Sequence, residues 1–218
     1  MGGKVKRDLK DKFSKDKKII LNFFNEAVKT YKTIPKVLGW GSRDSQESRF
    51  RVLSEIGDLN RKTVLDVGCG LGDLYEFLVR KKNLNLKRYA GIDINPLMIK
   101  KAKENFTQAE FQIMDLLKNP IQGRFDYVLA SGLFGLKLPH WKDFTYMMLY
   151  HMYNISNIGI GINFLSCYSP FNKNSKCYYA CPSKILSFIC DNLSRRVVLR
   201  QDYKANDFTV YIYKDIYK

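Results

Sequence analysis

The amino-acid sequence lacks a long apolar run, although 45% of its 218 residues are hydrophobic. No apolar stretch approaches the roughly 18 residues that a membrane-spanning helix needs. The segment 1–18 is charged and has no apolar centre of the kind found in secretory signal peptides. We therefore expect a globular chain that stays in the cytoplasm and has no membrane partner.

Histidine and closely paired cysteines are also scarce, which argues against a metal centre. The chain has 2 histidines and 5 cysteines, without a Cys-x-x-Cys pair. Cys177 and Cys181 have the spacing that begins an iron-sulfur motif, but Lys184 occupies the position of the third cysteine. We therefore expect no metal site, and free thiols in a reducing compartment.

Acidic residues are in the minority, because 21 Asp and Glu stand against 37 Lys and Arg and leave a net charge of +16. A basic surface can attract an anionic partner such as RNA. However, the lysines are spread along the chain, and an AT-rich genome also produces a composition rich in Lys, Asn, Ile, Tyr and Phe. Nucleic acid therefore stays an open alternative as a partner.

A glycine-rich turn at 68–72 follows the apolar segment 64–67, which predicts a strand, a tight turn and a helix. Glycine has no Cβ, so such a turn brings backbone N–H groups close to a ligand. The glycines are spaced more tightly than in a dinucleotide fingerprint. Asp66 and Asp73 would also repel a pyrophosphate, whereas they would suit the ammonium and sulfonium groups of S-adenosylmethionine.

The run from Asp66 to Gly72 resembles the first motif of the class I S-adenosylmethionine-dependent methyltransferases. From about Gly39 onward, the chain is also similar to a largely uncharacterised bacterial subgroup of that family. The resemblance implies an α/β fold with a Rossmann-like, seven-stranded and mostly parallel sheet, helices on both faces and an antiparallel last strand. The alternation of strand and helix patterns after the motif independently predicts a doubly wound parallel sheet.

Two more acids lie at the ends of predicted strands. Asp93 directly follows the strand 88–92, and Asp115 lies near the end of the strand 111–116. Ligands of open α/β sheets bind at the carboxyl ends of the strands, so these acids should converge with Asp66. The resemblance implies that Asp93 accepts from the ribose hydroxyls and Asp115 from the adenine amino group, with Ile94 against the ring. The predicted cofactor-binding residues are Asp66, Gly68, Cys69, Gly70, Asp73, Asp93, Ile94, Asp115, Leu116, Ser131 and Arg49.

Arg49 belongs to this set because a guanidinium can bind the methionine carboxylate in a bidentate manner. The alternative interpretation is that Arg49 is an ordinary surface arginine. Ser131 belongs to the same set because the fourth predicted strand, 125–132, ends beside the methyl group in the family fold. The backbone N–H group of Leu116 would serve an adenine ring nitrogen.

The chain is predicted to divide at residue 38. Residues 1–38 would form a basic segment and a helix with one apolar stripe, which covers the cofactor pocket or packs on the domain edge. Residues 39–218 would form the methyltransferase domain, with a small polar and aromatic insert at about 168–180.

The acceptor is less well determined than the methyl donor. The Asn/Asp-Pro-Pro-Tyr motif of amine methylation and a Pro-Cys nucleophile are both missing, which disfavours nucleobase substrates. We predict in-line transfer to a small molecule, with an RNA or protein methyltransferase and a non-catalytic cofactor-binding partner subunit as alternatives. His140 is the candidate general base, or else a surface-loop histidine, and Tyr178, Tyr179 and Trp40 are the candidate acceptor contacts.

Overall fold

A computed structural model describes residues 12–30, 42–119, 121–171 and 173–215. Trp40 and the predicted boundary at residue 38 lie outside these ranges. The helices of the described ranges are α1 (Ser14–Thr30), α2 (Arg43–Ser54), α3 (Asp73–Glu76, continued by a π-helical turn over Phe77–Lys81), α4 (Pro96–Asn105), α5 (Trp141–Asn154) and α6 (Pro182–Asn192). The strands are β1 (Thr63–Val67), β2 (Arg88–Asp93), β3 (Glu110–Ile113), β4 (Phe125–Ala130), β5 (Ser156–Leu165), β6 (Val197–Arg200) and β7 (Asp207–Tyr213).

The seven strands of the described ranges form one sheet in the order β3-β2-β1-β4-β5-β7-β6. The pairs from β3 to β5 are all parallel, whereas β7 is antiparallel to both β5 and β6. This confirms the predicted Rossmann-like sheet with an antiparallel last strand. The strand order reverses between β1 and β4, and open α/β sheets bind their ligands beside such a reversal.

Helices cover both faces of the sheet, so its central strands are apolar on both sides. On β4, Val128 and Leu129 point to opposite faces and are both 0% exposed. Val128 belongs to the core cluster that α5 and α6 cover, and Leu129 to the cluster that α2 and α4 cover. An acid on such a strand, like Asp66 on β1, is therefore buried as well.

Helix α1 packs against the sheet domain although it precedes it in the sequence. Phe13, just before the helix, is buried in the main core and meets the ring of Phe144 edge-on, with ring centres 5.9 Å apart. Asn25 accepts a hydrogen bond of 2.9 Å from the side-chain amide of Asn95. None of the helices in the described ranges is long and apolar enough to cross a membrane.

A buried ion pair connects α2 to β7. One Nη atom of Arg49 lies 2.8 Å from the Asp207 carboxylate, and the other donates to the carbonyl oxygen and the hydroxyl of Ser45. The two charged side chains are only 5% and 0% exposed. Arg49 is therefore not the surface arginine that was one of its two sequence interpretations.

We predict that Arg49→Met destabilises the protein by about 3–5 kcal/mol, because it leaves the Asp207 carboxylate buried without its partner. Urea denaturation measures the change, and Arg49→Met/Asp207→Leu, which removes both charges, should recover most of the loss. The matched control is Arg43→Met on the same helix, which breaks exposed pairs with Glu47 and Glu76 and should cost less than about 1 kcal/mol. Equal losses for the two single variants would contradict the structural role of the buried pair.

Candidate cofactor site

The glycine turn after β1 has a backbone that only glycine adopts easily. Gly68, Gly70 and Gly72 have φ angles of +75°, +54° and +87°. A Cβ on Gly68 would lie 2.8 Å from the side chain of Leu133, so there is also no room for one. The N–H group of Gly68 donates to the carbonyl oxygen of Ile92 over 2.8 Å, which ties the turn to the end of β2.

The same turn positions Asp93. The N–H group of Gly70 donates to one carboxylate oxygen of Asp93 over 3.0 Å, and the N–H group of Asn95 donates to the other over 2.8 Å. Two backbone donors thus fix the orientation of the carboxylate. Each of its oxygens keeps a further lone pair for a ligand.

A cavity opens at this edge of the sheet, with about 1080 Å³ of empty space including its open mouth. The cavity lies at the carboxyl ends of the parallel strands, where open α/β sheets bind their ligands. Ten of the predicted cofactor-binding residues line it, namely Asp66, Gly68, Cys69, Gly70, Asp73, Asp93, Ile94, Asp115, Leu116 and Ser131.

Burial raises the pKa values of three acids in the cavity. It raises the pKa of Asp66 to about 7, although the Tyr89 hydroxyl, which donates to Asp66 over 2.7 Å, acts in the opposite direction. Burial likewise raises the pKa of Asp73 to about 6. It also raises the pKa of Asp93, against the effect of the N–H groups of Asn95 and Gly70. A cationic ligand would favour the ionised form of all three carboxyls.

Lys17 of α1 forms an ion pair with Asp115, the fourth acid of the cavity. The sequence did not indicate this role for Lys17. Its Nζ atom lies 2.5 Å from the Asp115 carboxylate, and both side chains are mostly buried. Asp115 lies two residues beyond the end of β3, and its other oxygen accepts from the N–H group of Leu117 over 3.1 Å. The ion pair attaches α1 to the edge of the cavity.

Two buried polar residues, Gln46 and Asp73, line the cavity and are 1% and 6% exposed. Burial raises the pKa of Asp73, and the Gln46 side chain, acting as a hydrogen-bond partner, lowers it. Helix α2 places Gln46 here, and the Ser42 side chain begins this helix by accepting from the Ser45 N–H group. Gln46 and Asp73 thus offer a side-chain amide and a carboxyl at one side of the cavity.

The remaining lining is largely apolar. Ile20 and Phe24 of α1, Phe144 and Met148 of α5, and Leu133 of the loop after β4 all contribute to it. The sequence pattern indicated that both helices have an apolar face. For α1 it left a pocket cover and packing on the domain edge open, and for α5 it did not indicate that the apolar face borders the cavity.

Four other predicted site residues do not line the cavity. Arg49 pairs with Asp207, and Tyr178 stacks on Trp141 with ring centres 3.7 Å apart. These two contacts occupy both side chains within the protein core, so their roles in ligand binding stay predictions that the geometry does not support.

The other two, His140 and Tyr179, are held in similar ways. The Nδ1 atom of His140 is 2.8 Å from the Asp16 carboxylate, and the Tyr179 hydroxyl accepts from the N–H group of Asn174 over 2.9 Å. Trp40, the remaining candidate, lies outside the described residues. A general base at His140 and acceptor contacts at the two tyrosines likewise stay predictions.

Comparisons with known proteins agree with this geometry. A family described as a methyltransferase domain matches residues 64–152. The chain is 29% identical over 161 residues to a Mycobacterium tuberculosis protein whose name gives it provisionally as a methyltransferase, a match that covers 70% of this chain and 93% of that protein. It is 31% identical over 124 residues to the malonyl-[acyl-carrier protein] O-methyltransferase of Acetivibrio thermocellus, covering 55% of this chain but only 40% of that protein.

A solved structure with a similar fold is the magnesium protoporphyrin IX methyltransferase of Synechocystis with bound S-adenosylhomocysteine. The TM-score is 0.65 at 16% identity, over 92% of this chain and 100% of that one. At this identity the likeness concerns the fold. The matched domain, the Mycobacterium tuberculosis relative and the shared fold together support a class I S-adenosylmethionine-dependent methyltransferase.

Proposed function

We propose that the chain transfers a methyl group from S-adenosylmethionine to a small-molecule acceptor, and that the cavity at the carboxyl edge of the sheet holds both. The observation that carries the proposal is the convergence of the buried carboxyls of Asp66, Asp73 and Asp93 on one cavity, with that of Asp93 oriented by two backbone N–H groups. Gln46 and Asp73 would offer an amide and a carboxyl to the carboxylate and the ammonium group at the amino-acid end of the cofactor. This match is the evidence that the residues of this chain fit the cofactor.

The other predicted contacts complete the assignment. Asp93, oriented by two backbone N–H groups, would accept from the ribose hydroxyls. Asp115 and the N–H group of Leu116 would bind the adenine edge, while Ile94 contacts its face. Asp66 lies deeper, on β1, and would add its negative charge near the cationic end of the cofactor.

The cofactor supplies a methyl group on a sulfonium sulfur, which is already a good leaving group. The chain therefore has to bind the acceptor, align it and exclude water. The apolar lining from α1, α5 and the loop after β4 suits these tasks. No general base belongs to this proposal, because His140 is held by Asp16 away from the lining.

We also propose that α1 acts as a lid over the cavity, which is one of the two roles that its apolar stripe left open. Lys17, Ile20 and Phe24 of this helix all line the cavity. Polar contacts attach the same helix to the domain on both sides, with Asn25 bonded to Asn95 and Lys17 to Asp115. A lid of this kind favours an acceptor small enough to be enclosed.

Transfer of labelled methyl groups tests the choice of acceptor. We expect label from S-adenosylmethionine to enter small, acid-soluble products of a metabolite extract, and not total RNA or total protein. Asp93→Ala is the control that should abolish incorporation. Label in the RNA or protein fraction would support those alternatives instead. Intact cofactor binding without any incorporation would support a non-catalytic partner subunit.

A pair of ligands tests the assignment of Gln46. Methylthioadenosine is the cofactor without its amino-acid group. Gln46→Leu should therefore lower the affinity for S-adenosylmethionine about tenfold and leave the affinity for methylthioadenosine unchanged. Asp93→Ala should lower the affinity for both ligands, because both contain the ribose. Calorimetry measures the affinities, with Arg51→Ala on the exposed face of the same helix as a neutral control. Equal losses for both ligands in Gln46→Leu would refute the proposed carboxylate contact.

The raised pKa of Asp66 predicts a pH-dependent affinity. Its carboxyl is mostly protonated below its pKa of about 7, and a cationic ligand favours the ionised form. The affinity for S-adenosylmethionine should therefore rise with pH, by up to about tenfold between about pH 6 and about pH 8, with proton release on binding. Asp66→Asn should bind more weakly and show a smaller pH dependence, while Asp44→Asn, at an exposed position, should match the parent. A pH-independent affinity in the parent protein would contradict this role.

A further inference from the structure

Two cysteines lie side by side where the insert between β5 and α6 begins and ends. Ser166 and Ala180 form a parallel bridge, in which the Ala180 N–H group donates to Leu165 and the Cys167 N–H group donates to Ala180, both over 2.8 Å. The residues that follow this bridge are Cys167 and Cys181. Neighbouring strands are about 4.8 Å apart, which is within the Cα separation of about 4.4–6.8 Å that disulfides require.

The two thiols are free, and they differ in chemistry. Cys181 directly precedes α6, and its sulfur is 3.1 Å from the Ser183 hydroxyl. This hydroxyl, together with the N–H group of Lys184 and the Cys167 thiol, lowers the pKa of Cys181 to about 7. Burial raises the pKa of Cys167, and its hydrogen bond with Cys181 raises it further. Cys181 is thus the better nucleophile at neutral pH, with Cys167 in contact to resolve it.

We propose that Cys167 and Cys181 form a peroxide-sensitive dithiol that closes to a disulfide across the two ends of the insert. The Cys181 thiolate attacks hydrogen peroxide, the O–O bond breaks, and sulfenic acid and hydroxide form. The Cys167 sulfur then attacks the sulfenic sulfur, an S–S bond forms, and the sulfenic oxygen leaves as water with the thiol proton. Two thiols are oxidised in sum, and one peroxide is reduced to two waters.

The position of the pair connects it to the cavity. Between the two cysteines, Tyr178 donates its backbone N–H group to Gly135 over 3.0 Å, and Lys176 accepts from the Lys137 N–H group over 2.9 Å. These bonds flank Leu136, whose side chain lines the cavity. The disulfide would fix both ends of the segment that supports this part of the cavity wall.

Peptide mapping after brief peroxide treatment of the reduced protein tests the proposal, without any need for an acceptor. We expect a Cys167–Cys181 cross-link, formed about tenfold faster at about pH 8 than at about pH 6, as a thiol with a pKa of about 7 requires. Ser183→Ala should slow the reaction severalfold at neutral pH. Cys177→Ser, also in the insert, is the matched control and should leave the cross-link unchanged.

Two single variants separate the roles of the thiols. In Cys167→Ser, the sulfenic acid on Cys181 should accumulate and be trapped by dimedone. In Cys181→Ser, Cys167 should react no faster than Cys190. The proposal is overturned if peroxide oxidises Cys181 of the parent protein no faster than Cys190, or if the first cross-link joins Cys177. Mapping of the parent protein decides the question even where a variant folds poorly.

Discussion

The cofactor site depends on the hydrogen bond from the Gly70 N–H group to the Asp93 carboxylate. It joins the turn after β1 to the end of β2, and it requires the left-handed backbone of Gly70. The bond from the Gly68 N–H group to Ile92 reinforces the same connection. With both strand ends fixed, the acids that follow them face one cavity. A side chain at either glycine would strain the turn and displace Asp93 as well.

This arrangement places several carboxyls where water solvates them poorly. Burial therefore raises the pKa values of Asp66, Asp73 and Asp93, because the ionised form of each carboxyl is poorly solvated in the cavity. Among the described lining residues, Lys17 is the one Lys or Arg, and it pairs with Asp115. The Arg43 guanidinium, which does not line the cavity, lowers the pKa of Asp73 against the larger raising effect of burial. Under the proposed function, the cationic end of the cofactor would add to this stabilisation. The chemistry of the cofactor explains a set of acids that would otherwise only destabilise the fold.

Those parts of the site that depend on local sequence could be predicted. An acid at the end of a predicted strand has a known place in a parallel sheet, so Asp66, Asp93 and Asp115 could be brought together from strand patterns alone. The seven-stranded sheet followed from the same patterns and from the resemblance of the glycine motif. Both kinds of signal involve a few neighbouring residues, for which the sequence is a sufficient guide.

Contacts between distant elements could not be predicted in this way. The apolar stripe of α1 shows which side of the helix is buried, but not that Lys17 reaches an acid 98 positions further along the chain. Gln46 looks like an ordinary polar residue of a short helix until the cavity beside it is known. The carboxylate that pairs with Arg49 in the structure is 158 residues away, so the chemistry of the guanidinium could not identify it as Asp207. A spacing between cysteines likewise did not reveal that Cys167 and Cys181 are adjacent.

The charge of the chain and the charge of its cavity have opposite signs, and they govern different events. A net charge of +16 acts over the surface, where it affects how fast an anionic molecule approaches. The cavity is acidic where the cofactor would bind, and apolar elsewhere in its lining, with Ile20 and Phe24 of α1 across it. The lid role that we propose for α1 would require a polyanion attracted to the surface to pass this helix before any of its atoms met the methyl group. That proposal, and not the basic composition, is what favours a small acceptor.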